Sequence, residues 1–258
     1  MLGYNYIDSE NRSKNSQIFT SFAPDKNLFQ ENFTVNTNRN LYFRLGTNYK
    51  LSSKSNLLFN YNGNFANDRS VFNSSAFGEN IDYNDEGFSK NKNYNNELSL
   101  QYKTKLDTLG RTLDVTAFLN TFDKTPINQS SGLNSGNIPS YNNGIIDFNL
   151  TNYYLKYDFA IPFNKLDFTI NTGGKYNSIK VNNFGQYNIN SSTNTIFDSN
   201  NYAESIDFNY NESNLAFYVE VRKKIKKFNF TVGLRLEDFD VKREASTIAD
   251  KIEYRNTN

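Results

Sequence analysis

From Leu41 the chain alternates with a period of two. Leu41, Phe43, Leu45, Thr47, Tyr49 and Leu51 fall on one side, with Tyr42, Arg44, Gly46, Asn48 and Lys50 between them. Successive side chains of a strand point to opposite faces, so this pattern predicts a strand with one apolar and one polar face. After the turn-like cluster Ser52-Ser53-Lys54-Ser55 it resumes as Leu57, Phe59, Tyr61, Gly63 and Phe65, against Asn60, Asn62 and Asn64. The unit recurs three times. Tyr94–Thr104 returns as Leu113–Thr121, Tyr153–Ile161 as Leu166–Tyr176, and Leu215–Val221 as Phe228–Leu236. A short N-terminal strand over Leu2–Ile7 brings the expected count to roughly eight long strands and a short one.

Two regularities extend beyond single strands. The apolar face carries no charged side chain, whereas Arg44, Lys50, Glu97, Lys103, Asp114, Lys156, Asp158, Asp167, Lys175, Glu220, Arg222, Arg235 and Glu237 share the polar face. Tight turns also alternate with long polar connections, read as outer loops at about 8–38, 67–93, 123–147 and 177–206. Structureless loops longer than roughly 12–15 residues are uncommon in compact domains. A membrane β-barrel accounts for both regularities. Its lipid face excludes charge, its lumen is wet, and its turns are short on one side and long on the other. The expected fold is therefore an all-β antiparallel transmembrane barrel, a meander of long hairpins without a second domain, located in the cell outer membrane. It is expected to be an interior segment of a larger barrel.

Composition sharpens this reading. The mean hydropathy is negative, yet aromatic residues make up 16% of the chain, with 23 Phe and 18 Tyr. Disordered chains are poor in such rings. Tyr49, Tyr94, Tyr102, Tyr153 and Tyr176 lie near strand ends, where an aromatic girdle belongs. The net charge of +1 gives no electrostatic case for nucleic acid. Cys and His are both absent, which excludes disulfides, thiolate metal sites, His-ligated zinc and His-based triads. No enzymatic activity and no cofactor are expected. Met1 is followed by no basic and apolar leader pattern, and no apolar run approaches the roughly 18 residues of a transmembrane helix.

The last hairpin, Ala216-Phe217-Tyr218-Val219-Glu220-Val221-Arg222 through the Lys-rich turn to Gly233-Leu234-Arg235-Leu236-Glu237, resembles outer-membrane barrels of the TonB-dependent receptor type. There a strand ends in a basic turn and the next reads close to G-L-R-x-E. Gly3-Tyr4-Asn5-Tyr6 and the Tyr49…Asn60-Tyr61-Asn62 hairpin look similar to earlier strands of such barrels. The resemblance implies import of a scarce or bulky solute, such as a metal chelate, vitamin or glycan. It also implies partners: outer-membrane lipid, the remainder of the barrel, a plug domain and a periplasmic energy-coupling protein. The sequence departs from that type in showing no plug, coupling-box or closing-strand pattern.

Candidate lumen-lining residues are Arg44, Lys156, Asp158, Glu220, Arg222, Arg235 and Glu237. Their alternative role is mutual ion pairing inside the barrel. Candidate ligand contacts in the outer loops are Tyr83, Phe88, Tyr141, Tyr187 and Tyr202, rings able to stack on a sugar or chelate. Asp82, Asp85 and Glu86 offer oxygen ligands without a calcium-loop pattern. The run Arg222–Lys227 reads as a solvated turn. Two other functions remain open: a small self-closing barrel acting as an anchor or adhesin, and a soluble glycan-binding β-sandwich.

Overall fold

The computed structural model describes residues 2–20, 27–78, 81–134, 138–191, 204–247 and 251–257. Among these residues the chain forms one antiparallel sheet of ten strands, ordered in space as in sequence. They are β1 (Leu2–Thr20), β2 (Asn27–Lys50), β3 (Ser55–Gly78), β4 (Ile81–Lys105) and β5 (Thr112–Asn134). There follow β6 (Ile138–Phe163), β7 (Phe168–Ser191), β8 (Glu204–Ile225), β9 (Phe228–Thr247) and β10 (Lys251–Thr257). β1 and β10 pair with β2 and β9 but not with each other, so the sheet is not closed.

The four inner hairpins appear in the expected register. Leu41 pairs with Phe65 and Tyr49 with Leu57, while Val221 pairs with Val232. Their turns are locally specified. At the β4–β5 turn the Asp107 carboxylate accepts from the backbone N–H of Leu109 at 2.9 Å and of Arg111 at 3.1 Å, and Gly110 takes φ +94°. Lys226 adopts φ +55° in the two-residue turn between Ile225 and Phe228, so the basic run is strand up to Ile225. Asp167, assigned above to the polar face, lies instead in the β6–β7 turn with φ +52°, and Leu166 lies there too. Asp tolerates this left-handed conformation better than most residues.

The outer connections differ from the expectation. The described residues of segments 67–93, 123–147, 8–38 and 177–206 are paired strand, not loop. Arg69 pairs with Lys90, Asn128 with Gly144, and Asn11 with Asn36. The physical reason is that a hairpin standing in water needs no apolar face. Asn, Ser and Thr on both sides erase the alternation that marks a half-buried strand, while the backbone ladder continues. β1 is accordingly 19 residues long, and β10 is a tenth strand that the alternation did not reveal.

The apolar face has an oblique outer edge. Its last apolar residues are Leu41 on β2, Phe65 on β3, Tyr94 on β4, Tyr153 on β6, Tyr176 on β7, Leu215 on β8 and Leu236 on β9. Tracing register partners from Leu236 back through Phe217, Gly174, Tyr157, Val115, Tyr102 and Leu57 arrives at Tyr49, eight residues from Leu41. The edge thus drifts about one residue per strand. A step of ~3.3 Å along each strand for ~4.8 Å across corresponds to strands tilted by roughly 35° to the band, as a transmembrane barrel requires. Past this edge, Asp123 pairs with Tyr94 and Asp238 with Leu215, so charge returns to this face where the band ends.

Among the described residues no second sheet covers the apolar face. Among the described residues the only buried hydrophobic side chains are Ala76 and Ala216, while Leu234 on β9 is 75% exposed. A soluble sandwich would bury this face against another sheet. The sandwich reading is therefore incorrect.

Candidate functional site

The turn-side half of the polar face, from β4 to β9, holds the densest chemistry. Asp114 on β5 stands directly opposite Asp158 on β6. Gln101 donates to both Asp114 carboxylate oxygens at 2.9 and 3.0 Å, and the Lys103 ammonium lies 3.3 Å away. Asp158 pairs with Lys156 at 2.7 Å and accepts from the Tyr218 hydroxyl at 2.6 Å. Each carboxylate thus has a cation and a neutral donor, which lets two acidic groups face each other across one strand pair. Further along, Asn171 donates to Glu220 at 3.1 Å, Arg222 donates to Glu220, and Arg235 forms an ion pair with Glu237. Asp114, Asp158, Asn171, Tyr218, Arg222 and Arg235 all line one open groove of about 550 Å³.

Six of the seven predicted lumen residues therefore share one surface, and their mutual ion pairing is present. Arg44 stands apart on β2, opposite Gly3 and Asn62, with no ion pair among the described residues. Asp114, Gln101, Asn171 and Tyr218 were not singled out as site residues. Tyr218 shares the parity of Glu220 and Arg222 on β8, a signal already in the sequence. Asp114 becomes prominent only through its register with Asp158, which no single strand reveals.

This face is not uniformly polar. Phe118 stacks on Tyr154 with centroids 4.9 Å apart, and the Lys175 ammonium lies 4.7 Å from the Tyr154 centroid. Lys175 itself is opposite Lys156. Asparagines dominate farther out. The side-chain oxygens of Asn40, Asn64, Asn91, Asn93 and Asn152 are enclosed and accept no hydrogen bond from the described residues. Enclosed amide oxygens of this kind call for water or another polar group beside them.

The outer aromatic candidates separate by face. By register Phe88 and Tyr141 are on the side continuous with the apolar band, where both line a groove of about 500 Å³ with Val35, Arg69, Val71 and Gln129. Tyr83 and Tyr187 are on the opposite side. Burial pushes the Tyr83 hydroxyl up to about 12, reinforced by its hydrogen bond to Asp85. Tyr187 borders a smaller groove of about 330 Å³ with Phe72, Ile146 and Asn142. Tyr202 lies outside the described residues. The five rings thus form no single surface. Asp85 and Glu86 are consecutive in β4 and face opposite sides, so they do not converge on one cation.

No curated protein matches the chain. Among solved structures, a crystal structure of the ferric citrate transporter FecA in the unliganded form aligns over 95% of this chain at 10% identity with a TM-score of 0.26. The alignment covers 55% of that protein, so the chain spans about half its length. The outer membrane protein beta-barrel family matches residues 104–258, more than half of the chain, from the end of β4 through β10. The charge-free tilted band, the polar opposite face and this match agree, and the chain belongs to the outer membrane protein beta-barrel family, with its place in the outer membrane of the cell.

Proposed function

We propose that the chain is wall, not catalyst: part of a TonB-dependent type transporter that imports a scarce or bulky solute, a metal chelate, vitamin or glycan. The observation carrying this reading is the inner face. Its ion-paired cluster on β5–β9 and its enclosed asparagine oxygens suit a lumen filled by water, solute or a polar plug. They do not suit one packed with apolar side chains. The similarity of the last hairpin to receptors of this type supports the same reading. So do the free edges of β1 and of the turn-side half of β9, because hydrocarbon leaves no backbone group unpaired. Further strands, a plug and an energy-coupling periplasmic protein are the partners it calls for.

The test is uptake. Cells with and without the gene are supplied with labelled ferric chelates, cobalamin and oligosaccharides, with and without a protonophore. The expected result is one solute whose uptake requires both the gene and the proton gradient. Gene-dependent uptake that ignores the protonophore removes the energy-coupled reading.

A second reading, a small anchor or adhesin barrel, requires β1 and β10 to pair. Refolding of this chain by itself in detergent separates the two. A self-closing anchor gives a heat-modifiable band, whereas a wall that needs further strands aggregates.

A further inference from the structure

The face toward lipid changes character abruptly on β2, β3 and β4. The last apolar row there is Leu41–Phe65–Tyr94, with the Phe65 and Tyr94 rings 5.9 Å apart. The next row outward is Arg39–Asn67–Lys92, and the one after it is Thr37–Arg69–Lys90. Four cations therefore occupy two successive rows on three adjacent strands, all on the lipid-facing side. A third row, Val35–Val71–Phe88, closes the patch from outside, and the Arg69 guanidinium carbon lies 6.0 Å from the Phe88 centroid. Between the rows is a recess of about 480 Å³ lined by Thr37, Arg39, Asn67, Arg69, Phe88 and Lys90.

Of the surrounding acids among the described residues, only Asp8 pairs with a cation of the patch. Asp8 on β1 pairs with Arg39 at 3.5 Å, and Glu10 is held by Arg12 at 2.8 Å. On the other side Asp123 is opposite Tyr94, and Asp147 accepts from Thr125 at 2.8 Å. Glu86 lies one row beyond Phe88 on the same side of β4. Arg69, Lys90 and Lys92 form no ion pair among the described residues.

Rows two and four residues past the apolar edge, on strands tilted by roughly 35°, carry these cations about 5 to 11 Å beyond it, from the headgroup layer outward. We infer that Arg39, Arg69, Lys90 and Lys92 form a binding site for the phosphate groups of an anionic lipid in the outer leaflet. The acyl chains would run down the Leu41–Phe65–Tyr94 surface while Phe88 caps the headgroup. Arg guanidinium groups fork onto phosphate oxygens, and Lys adds point charge. The site is independent of transport, since it faces away from the lumen.

The test uses the whole parent protein, extracted from the outer membrane in nonionic detergent, with lipid retention read by native mass spectrometry. Lipid A bearing both phosphates should bind at least about tenfold tighter than its dephosphorylated form, since each cation near an anionic headgroup contributes about a threefold to tenfold gain. The triple substitution Arg69→Gln, Lys90→Gln and Lys92→Gln should remove that difference. Replacing Lys223, Lys224 and Lys226 by Gln at the turn end, an equal loss of charge, should preserve it. Heat-modifiable gel mobility reports folding of each variant. Equal binding of phosphorylated and dephosphorylated lipid by the parent chain overturns the proposal without any variant. So does unchanged retention after the Arg69, Lys90 and Lys92 substitutions, an equal loss in the turn-end variant, or full displacement by millimolar inorganic phosphate, which marks a free-anion site.

Discussion

Each long strand contains two regions of opposite chemistry on one uninterrupted ladder. In β4 the turn-side half places Tyr94, Leu98, Leu100 and Tyr102 toward lipid and Asn95, Glu97, Gln101 and Lys103 toward the lumen. In the outer half, from Lys92 to Asp82, polar residues occupy both faces, and Phe88 is the apolar exception on the lipid side. Asn96 is the one break on the lipid side of the turn-side half, and the Tyr61 hydroxyl donates to its side-chain oxygen at 2.7 Å. A strand of 25 residues is more than twice the roughly 9–11 needed to cross a bilayer. The comparison teaches that backbone pairing and side-chain partition are separable. The ladder sets where strands lie, and solvent decides what may decorate them.

The largest effect should come from placing charge in the turn-side half. Leu98→Arg puts a guanidinium on the lipid face between Tyr61 and Leu119, at a cost of about 2–4 kcal/mol. Asn182→Arg, on the same face but six residues past the last apolar residue of β7, should stay within about 0.5 kcal/mol of the parent. Urea midpoints of heat-modifiable mobility in detergent read both. Equal loss at the two sites would mean that the band extends far beyond Tyr176.

Close packing gives a second contrast. A Cβ on Gly173 would lie 2.5 Å from the Tyr157 carbonyl oxygen and 2.5 Å from the Tyr218 ring, so Gly173→Ala must displace backbone. The expected loss is about 1–3 kcal/mol. At Gly185 in the outer half the nearest atom would be 3.8 Å away, in Ile146. Gly185→Ala should therefore be neutral or stabilise by up to about 0.5 kcal/mol, by restricting the unfolded chain.

The same division explains which features were legible before the structure. Alternation is visible only where the two faces meet different media. The hairpins around Ser52–Ser55, Asp107–Gly110, Asn164–Asp167 and Lys226–Lys227 therefore appeared at correct register, and the outer halves did not. β1 looked short because only Leu2, Tyr4 and Tyr6 lie within the band, and the strand then continues through Asp8, Glu10 and Arg12. Site residues followed the same logic. Parity along one strand grouped Glu220 with Arg222 and Arg235 with Glu237. Pairing across strands, which brings Asp114 to Asp158 and Lys156 to Lys175, depends on register and tilt. The cations Arg69, Lys90 and Lys92 were hidden because they fell in the segment 67–93, which read as a loop where no residue has a face, and Arg39 because it lies between the loop read at 8–38 and the alternation that begins at Leu41.

Ion pairs sharpen the comparison at smaller amplitude. Asp158→Ala removes the acceptor of Tyr218 and the partner of Lys156, leaving Lys156 and Lys175 opposed. These groups are partly exposed, so the loss should be about 1 kcal/mol. Asp8→Ala breaks only the exposed Arg39 pair in the outer half, where less than about 0.5 kcal/mol is expected. Bilayer recordings should also show greater anion preference after Asp158→Ala, and no change after Asp8→Ala.

The smallest effect should follow from the largest deletion. Ser70 and Ser89 are register partners, so replacing residues 71–88 with Asn-Gly closes β3 and β4 in their existing frame through a two-residue turn. The lost segment lies wholly outside the apolar band, and its removal leaves Leu41, Phe65 and Tyr94 with the neighbours they have now. If the turn-side half holds the sheet in the membrane, assembly should be unchanged and the urea midpoint should move by no more than about 0.5 kcal/mol equivalent. A collapse of assembly would mean that the outer hairpin directs strand pairing. The two halves would then be one folding unit despite their different chemistry.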